Sequence, residues 1–261
     1  GWTGEIILFD ADPLLPYHRP PLSKTYLTST DSVEQNALKS ADSYASENIT
    51  LRLGIRVQSI DRLGRKITLA DGSNQAYDKL VLATGARPFI PPIQGLNTAV
   101  NLFPMRTAAD AINIRNAFQN LTNKRVVVIG GGYIGLETAA SLRKLGASVT
   151  VLEREERILA RVTASVLSDF FQQLHTEKGV AILTNKNVSE IKNDGQSNEV
   201  ICSDGTSYAA DLIVVGVGIR VNVELAQAAG ITIENGIKVD AATQTSDENI
   251  YAIGDCTYHH N

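Results

Sequence analysis

The chain has 261 residues, 43% hydrophobic and 20% charged, enough apolar material for one large core or two modest ones and too much for wholesale disorder. No stretch approaches the apolar run of a membrane span, no basic patch leads into an apolar segment at the N-terminus, and a formal net charge of -4 argues against a nucleic-acid partner. Cys202 and Cys256 are the only cysteines, which excludes a disulfide framework and a zinc constellation and points to a reducing, cytoplasmic setting.

The chain opens without Met on Gly1-Trp2, close to an apolar strand, so it is read as a piece of a longer protein, with Trp2 as a packing residue. Residues 5–9 form a buried strand ending in Asp10-Ala11-Asp12. A proline-dense loop follows, with prolines at 13, 16, 20 and 21 that forbid a regular helix or central strand. Residues 31–47 are polar and part-helical. Short strands are predicted at 55–57, 66–69 and 79–82, with a turn at Asp71-Gly72. Ala83-Thr84-Gly85-Ala86-Arg87-Pro88 closes the last of these, and Pro88, Pro91 and Pro92 mark a linker.

Residues 107–121 carry helical spacing through Ala108, Ala111, Ile112, Arg115 and Phe118. Val126 to Ile129 is a buried strand, residues 130–135 a glycine turn, and Leu136 to Leu145 a helix stopped by Gly146. Ser148 to Leu152 is the next strand, with Glu153 at its end. A helix over 163–178, placing His175 on the surface, precedes strands near 180–183, 187–191, 198–202 and 211–215. Gly216-Val217-Gly218 ends the last strand, Leu225 to Gly230 is a short helix, and 249–255 is a strand running into Gly254.

The clearest chemistry lies in Gly130-x-Gly132-x-x-Gly135, flanked by a strand and a helix. Gly130 permits the tight turn, Gly132 lets a pyrophosphate approach the backbone, and Gly135 lets helix and strand pack closely. Tyr133 and Ile134 lie in the turn that leads into the helix, whose free N–H groups favour an anion. Glu153 stands where a carboxylate accepts hydrogen bonds from an adenosine ribose and repels a 2′-phosphate, so NAD is favoured over NADP. Arg154 and Arg157 temper that preference, because a nearby Arg accommodates the phosphate. The competing reading is a glycine-rich structural turn.

Three further segments give a resemblance. Leu15-Pro16-Tyr17-His18-Arg19-Pro20-Pro21-Leu22-Ser23-Lys24 resembles the flavin-side loop of FAD-dependent ferredoxin and rubredoxin reductases, in the pyridine nucleotide-disulfide oxidoreductase superfamily. Residues 77–88 resemble their ATG motif, and 245–256 their GD motif. With residues 130–137, the four motifs occur in family order across essentially the whole chain.

The resemblance implies an α/β fold of two nested Rossmann-like, glutathione-reductase-type domains. Residues 1–106 and 227–261 would be an incomplete FAD-binding domain, lacking the first strand and its glycine turn, and 107–226 an inserted NAD(H)-binding domain. It also implies site residues. Asp10 or Asp12 would meet the FAD ribose, Arg19 and Lys24 would lie near the flavin, and Val57 would hold the adenine through its backbone. Ala83, Thr84, Gly85 and Arg87 would line the cofactor channel, and Arg106 would approach its pyrophosphate or flavin side. Gly254 and Asp255 would meet the ribityl chain, and Gly216, Val217 and Gly218 would border the nicotinamide. Lys24 and Glu137 would face each other as the catalytic pair. His259 and His260 would lie towards the flavin edge in longer relatives. The implied activity passes hydride from NADH to flavin and then single electrons to a ferredoxin or rubredoxin. No Cys precedes position 202, so the thiol pair of the disulfide reductases is missing, and Cys256 reads as a small buried residue. Two other functions stay open, a thiol-free flavin reductase for a small acceptor and an NAD(H)-binding fragment without activity.

Overall fold

The structure, a computed structural model, describes residues 2–259 and has an α/β fold. His260 lies outside the described residues. Two compact units divide the chain: Gly1–Tyr17, Val33–Arg87 and Ile219–Asn261 form one, and His18–Ser32 with Pro88–Gly218 the other.

The second unit is built on a five-stranded, all-parallel sheet. Its strands lie in the order Val180–Leu183, Ser148–Leu152, Arg125–Ile129, Leu212–Val215 and Leu102–Pro104. Every residue of Leu212–Val215 is buried, as are Val126 to Ile129. Such unbroken apolar runs belong to strands covered on both faces, not to the alternating pattern of a half-exposed sheet. Arg125 and Asp211 tie the starts of two adjacent strands. The guanidinium reaches both carboxylate oxygens at 2.6 and 2.9 Å, and the Arg125 N–H adds a bond of 3.0 Å.

The Ala108–Gln119 helix opens with a capping box between Thr107 and Asp110. Its inward face is Ala108, Ala111, Ile114 and Phe118, so Ile114 is buried where the sequence suggested Ile112. Arg115 on this helix grips the segment that follows the proline loop. Its Nη1 donates to the carbonyls of Tyr26, Ser29 and Asp31 at 3.5, 2.8 and 3.4 Å, and the guanidinium stacks over the Tyr26 ring at 5.0 Å. A meander of Val188–Asn193, Asn198–Cys202 and Ser207–Ala210 completes the unit. The last of these strands was not predicted, because Ser-Tyr-Ala-Ala carries no apolar alternation.

The first unit carries parallel pairs. Ile6–Asp10 runs beside Ile49–Leu53, and Leu80–Leu82 beside Ile250–Ala252. An antiparallel meander joins Val57–Asp61, Lys66–Leu69 and Asn74–Ala76. The strand expected at 55–57 is replaced by two strands on either side of Gly54, whose φ of +70° turns the chain. The core gathers Leu82, Ile231, Ile237, Ile250 and Cys256. Trp2 is 60% exposed, so it does not pack as expected. His259 pairs with Val239 at an exposed strand end. Among the described residues no helix is long and apolar enough to cross a membrane.

Candidate functional site

In the second unit the chain leaves Ile129, turns at Gly130 and enters the Tyr133–Lys144 helix, three residues before the start that sequence spacing indicated. Gly130 has φ +108°, and a Cβ there would sit 2.6 Å from the Gly216 carbonyl. A Cβ on Gly135 would sit 2.0 Å from the Gly130 carbonyl oxygen. Both glycines are therefore fixed by close backbone approach. Gly132 differs: it has extended backbone, and a Cβ there would meet nothing within 4 Å. The helix has no side-chain cap, and Tyr133 and Ile134 are exposed over its first turn. An open glycine beside uncapped helical N–H groups is a cradle for a phosphate group.

Glu153 closes the cradle. Its Oε2 accepts the Gly131 N–H at 2.6 Å and its Oε1 the Glu155 N–H at 2.8 Å, which fixes the carboxylate at the strand end. The Gly131 carbonyl accepts the Leu159 N–H at 3.0 Å. Leu159 is buried with φ +55°, so the loop after the acid is anchored to the turn by a strained residue. Arg157 is committed to that loop. Its guanidinium donates to Thr163 O, Ala160 O and Ser168 Oγ. It is thus a strut, where the sequence suggested a phosphate partner. Arg154 instead pairs with Glu155, which holds the Glu155 carboxyl below the usual range.

Lys24 and Glu137 meet in the same unit. Lys24 Nζ lies 2.7 Å from Glu137 Oε2 and also donates to Pro20 O at 3.0 Å. Ser23 Oγ donates to the same Oε2 at 2.6 Å, and the Ser23 carbonyl accepts Ser141 Oγ at 2.7 Å. Ser23 is 2% exposed, so the helix face carrying Glu137 and Ser141 holds the loop by buried polar contacts. Arg19 is exposed, and Arg106 is half-buried with its N–H bonded to Asp110. Gly216, Val217 and Gly218 follow the Leu212–Val215 strand; Gly216 abuts Gly130 and Gly135, and Gly218 O accepts the Phe89 N–H.

In the first unit, the carboxyl ends of two paired strands come together. Leu82 leads into Ala83-Thr84-Gly85, and Ala252 leads into Gly254-Asp255, with the Ile253 N–H bonded to Leu82 O at 2.9 Å. Strand carboxyl ends are where open parallel sheets bind ligands. Asn222 clamps this edge. It accepts from Thr84 Oγ1 through its carbonyl at 2.6 Å, donates through Nδ2 to Thr84 O at 2.8 Å, and accepts from Arg87 at 2.6 Å. Arg87 also pairs with Glu224. Asp10 ends its strand and accepts the Asp12 N–H; Asp12 accepts the Leu14 N–H and the Tyr17 hydroxyl. Both oxygens of Asp12 thus serve its own loop. Val57 begins the outer meander, opposite Leu69. Ser23, Ser141 and Asn222 were missed by sequence reasoning; the adjacency of Ser23 to Lys24 was the one available signal.

The family model for pyridine nucleotide-disulphide oxidoreductases matches residues 2–261. Putidaredoxin reductase of Pseudomonas putida is 44% identical over 100% of this chain and 62% of the relative. Rhodocoxin reductase of Rhodococcus erythropolis is 42% identical over 98% of this chain and 60% of the relative. Rubredoxin-NAD(+) reductase of Pseudomonas putida is 38% identical over 98% and 66%. The chain therefore spans about three fifths of the length of these relatives. Among solved structures, a covalent putidaredoxin reductase–putidaredoxin complex matches with a TM-score of 0.94 at 42% identity, covering 100% of this chain and 63% of that one. A NAD-dependent persulfide reductase of A. fulgidus matches at 0.91 and 30% identity, covering 98% and 49%. The Gly130–Glu153 turn and the strand-end pair at Thr84 and Asp255 thus sit within a chain that belongs to the pyridine nucleotide-disulphide oxidoreductase family.

Proposed function

We propose that this chain is the nucleotide-binding part of an FAD-dependent NADH:ferredoxin or NADH:rubredoxin reductase of the reducing cytoplasm. Residues 107–226 would bind NAD(H), and residues 1–106 with 227–261 would contribute to the FAD site. When bound, the two cofactors supply the redox chemistry, a two-electron hydride transfer followed by two single-electron deliveries to the acceptor protein. The observation that carries the reading is the open Gly132 beside an uncapped helix start and a carboxylate pinned at the strand end, which fits the phosphate and ribose of a dinucleotide.

The chain's own residues have separable tasks. Gly130, Gly132, Gly135 and the first turn at Tyr133 and Ile134 hold phosphate, and Glu153 receives the ribose hydroxyls. Gly216, Val217 and Gly218 border the nicotinamide. Lys24 keeps a positive charge beside Glu137, and the pair orients the reacting ring and steadies charge next to it. Asp10 or Asp12, Val57, Ala83, Thr84, Gly85, Arg87, Gly254 and Asp255 would hold the second dinucleotide, with Arg19 and Arg106 on its phosphate or ring side. Cys202 and Cys256 are both buried and free, and Cys256 Sγ donates to Ile253 O at 3.3 Å, which supports electron exit without a thiol relay. The names of the relatives, reductases of putidaredoxin, rhodocoxin and rubredoxin, support a small redox protein as acceptor.

The test is NADH-dependent reduction of cytochrome c by the purified flavoprotein containing this chain, with and without added ferredoxin or rubredoxin. Strong acceleration by either protein is expected. Equal rates without them, together with rapid quinone reduction, would replace this reading by that of a small-acceptor reductase.

A further inference from the structure

The residues after Glu153 form an ion cluster that the proposed activity does not use. Arg154 Nη2 lies 2.8 Å from Glu155 Oε1, and Arg161 Nη2 lies 3.8 Å from the same oxygen. Their side chains are 62% and 74% exposed, so both guanidiniums stand in solvent around one carboxylate. Through its backbone, Glu155 donates to Glu153 Oε1, which places residue 155 one hydrogen bond from the ribose acid. Arg157, locked into Thr163, Ala160 and Ser168, is not available to a ligand in the same way.

A 2′-phosphate on the adenosine ribose would be directed at this same edge, because Glu153 receives the 2′-hydroxyl. Its recognition needs guanidinium groups, whose planar forks match phosphate oxygens. Two are present, and both already face an acid. Exposed ion pairs are individually weak, so either Arg could change partner. Doing so would leave the Glu155 charge uncompensated beside the incoming phosphate, in addition to the charge of Glu153.

We propose that Glu155 is a specificity-determining residue: its carboxylate occupies Arg154 and Arg161, the two guanidiniums that would otherwise receive a 2′-phosphate, and so restricts the site to NADH. The proposal rests on the reading of Gly130–Glu153 as a dinucleotide site. It assigns discrimination to two acids with different tasks. Glu153 rejects the phosphate directly, and Glu155 withholds the groups that would neutralise it.

Isothermal titration of the chain with NADH and with NADPH tests this, using Glu155→Gln and the triple variant Glu155→Gln/Arg154→Gln/Arg161→Gln. Gln keeps the size and the backbone N–H of residue 155, and the side chain is 41% exposed, so folding is undisturbed; matched circular dichroism spectra check that. Glu155→Gln is expected to lower the ratio of NADPH to NADH dissociation constants by about fivefold to tenfold, and the triple variant to restore it. An unchanged ratio in Glu155→Gln overturns the proposal. A lowered ratio that survives loss of both arginines also overturns it, since removal of one negative charge would then suffice. Failure of the parent chain to bind NADH at all would instead sink the dinucleotide site, a distinguishable result.

Discussion

Ser23 and Lys24, adjacent in the chain, donate to the same oxygen of Glu137 at 2.6 and 2.7 Å, across sequence separations of 114 and 113 residues. One oxygen of the carboxylate is thus committed to the loop. The buried Ser23 fixes where the acid lies, and the half-exposed Lys24 supplies the charge. In the flavin-loaded protein, Lys24→Ala and Glu137→Ala should each slow flavin reduction by NADH about tenfold or more. Anaerobic stopped-flow measures this, and unchanged rates in both variants would remove the proposed roles.

The three glycines of the turn should respond differently to a single methyl group. Gly135→Ala places a Cβ against the Gly130 carbonyl and should cost about 2 kcal/mol or more of stability. Gly132→Ala meets no neighbour and should leave stability within about 0.5 kcal/mol. The same Gly132→Ala variant should nevertheless lose most of its NADH affinity, because the methyl would occupy the space of the phosphate. Urea unfolding and titration calorimetry on the two variants separate fold from binding.

The Arg125–Asp211 pair predicts an acid limb of stability. The guanidinium beside Asp211 holds its carboxyl below the usual range. The stabilisation is therefore complete above the unfolded-state value of about 3.9 and is lost as pH falls towards the lower folded-state value. Asp211→Asn should cost about 2 kcal/mol at neutral pH. Between about pH 5 and pH 3 the variant should lose less stability than the parent, which urea titrations at both pH values would show.

Asn222 should matter more than its exposed partner Arg87. Asn222→Ala removes the side-chain bonds to Thr84 O and to the Arg87 guanidinium, an expected loss of about 1–2 kcal/mol. Arg87→Ala, which breaks an ion pair with the exposed Glu224, should cost less than about 1 kcal/mol. Equal losses in chemical unfolding would contradict the view that Asn222 clamps the Thr84–Arg87 edge.

Sequence made the Val126–Ile129 and Leu212–Val215 strands legible because they are unbroken apolar runs, but not the three-residue Leu102–Pro104 edge strand of the same sheet, which ends in proline. It made the Gly130–Glu153 unit legible because strand, turn, helix and acid follow one another along the chain. The pairing of Lys24 with Glu137 came only from the family resemblance, since no local spacing relates positions so far apart. Ser23, Ser141, Asn222 and Arg115 were not legible for a related reason. Each is a polar residue of ordinary local context, and its task exists only once a distant segment arrives at hydrogen-bonding distance. The strand division at Gly54 was missed although Ile49–Leu53 alternates apolar and polar residues as a half-buried strand does; the strand was expected instead on Ile55-Arg56-Val57, immediately after the turn at Gly54. Arg157 misled because a guanidinium near a ribose acid looks the same in sequence whether it serves a ligand or its own loop.

The hold of Arg115 on Tyr26, Ser29 and Asp31 has a further meaning for Lys24. The proline-rich arm is stapled to the Ala108–Gln119 helix just beyond the lysine, while Ser141 grips it just before. The ammonium is thereby tethered on both sides to the scaffold that carries Glu137. Its position is set in advance of any ligand, and the entropy of placing it has been spent during folding instead of during turnover.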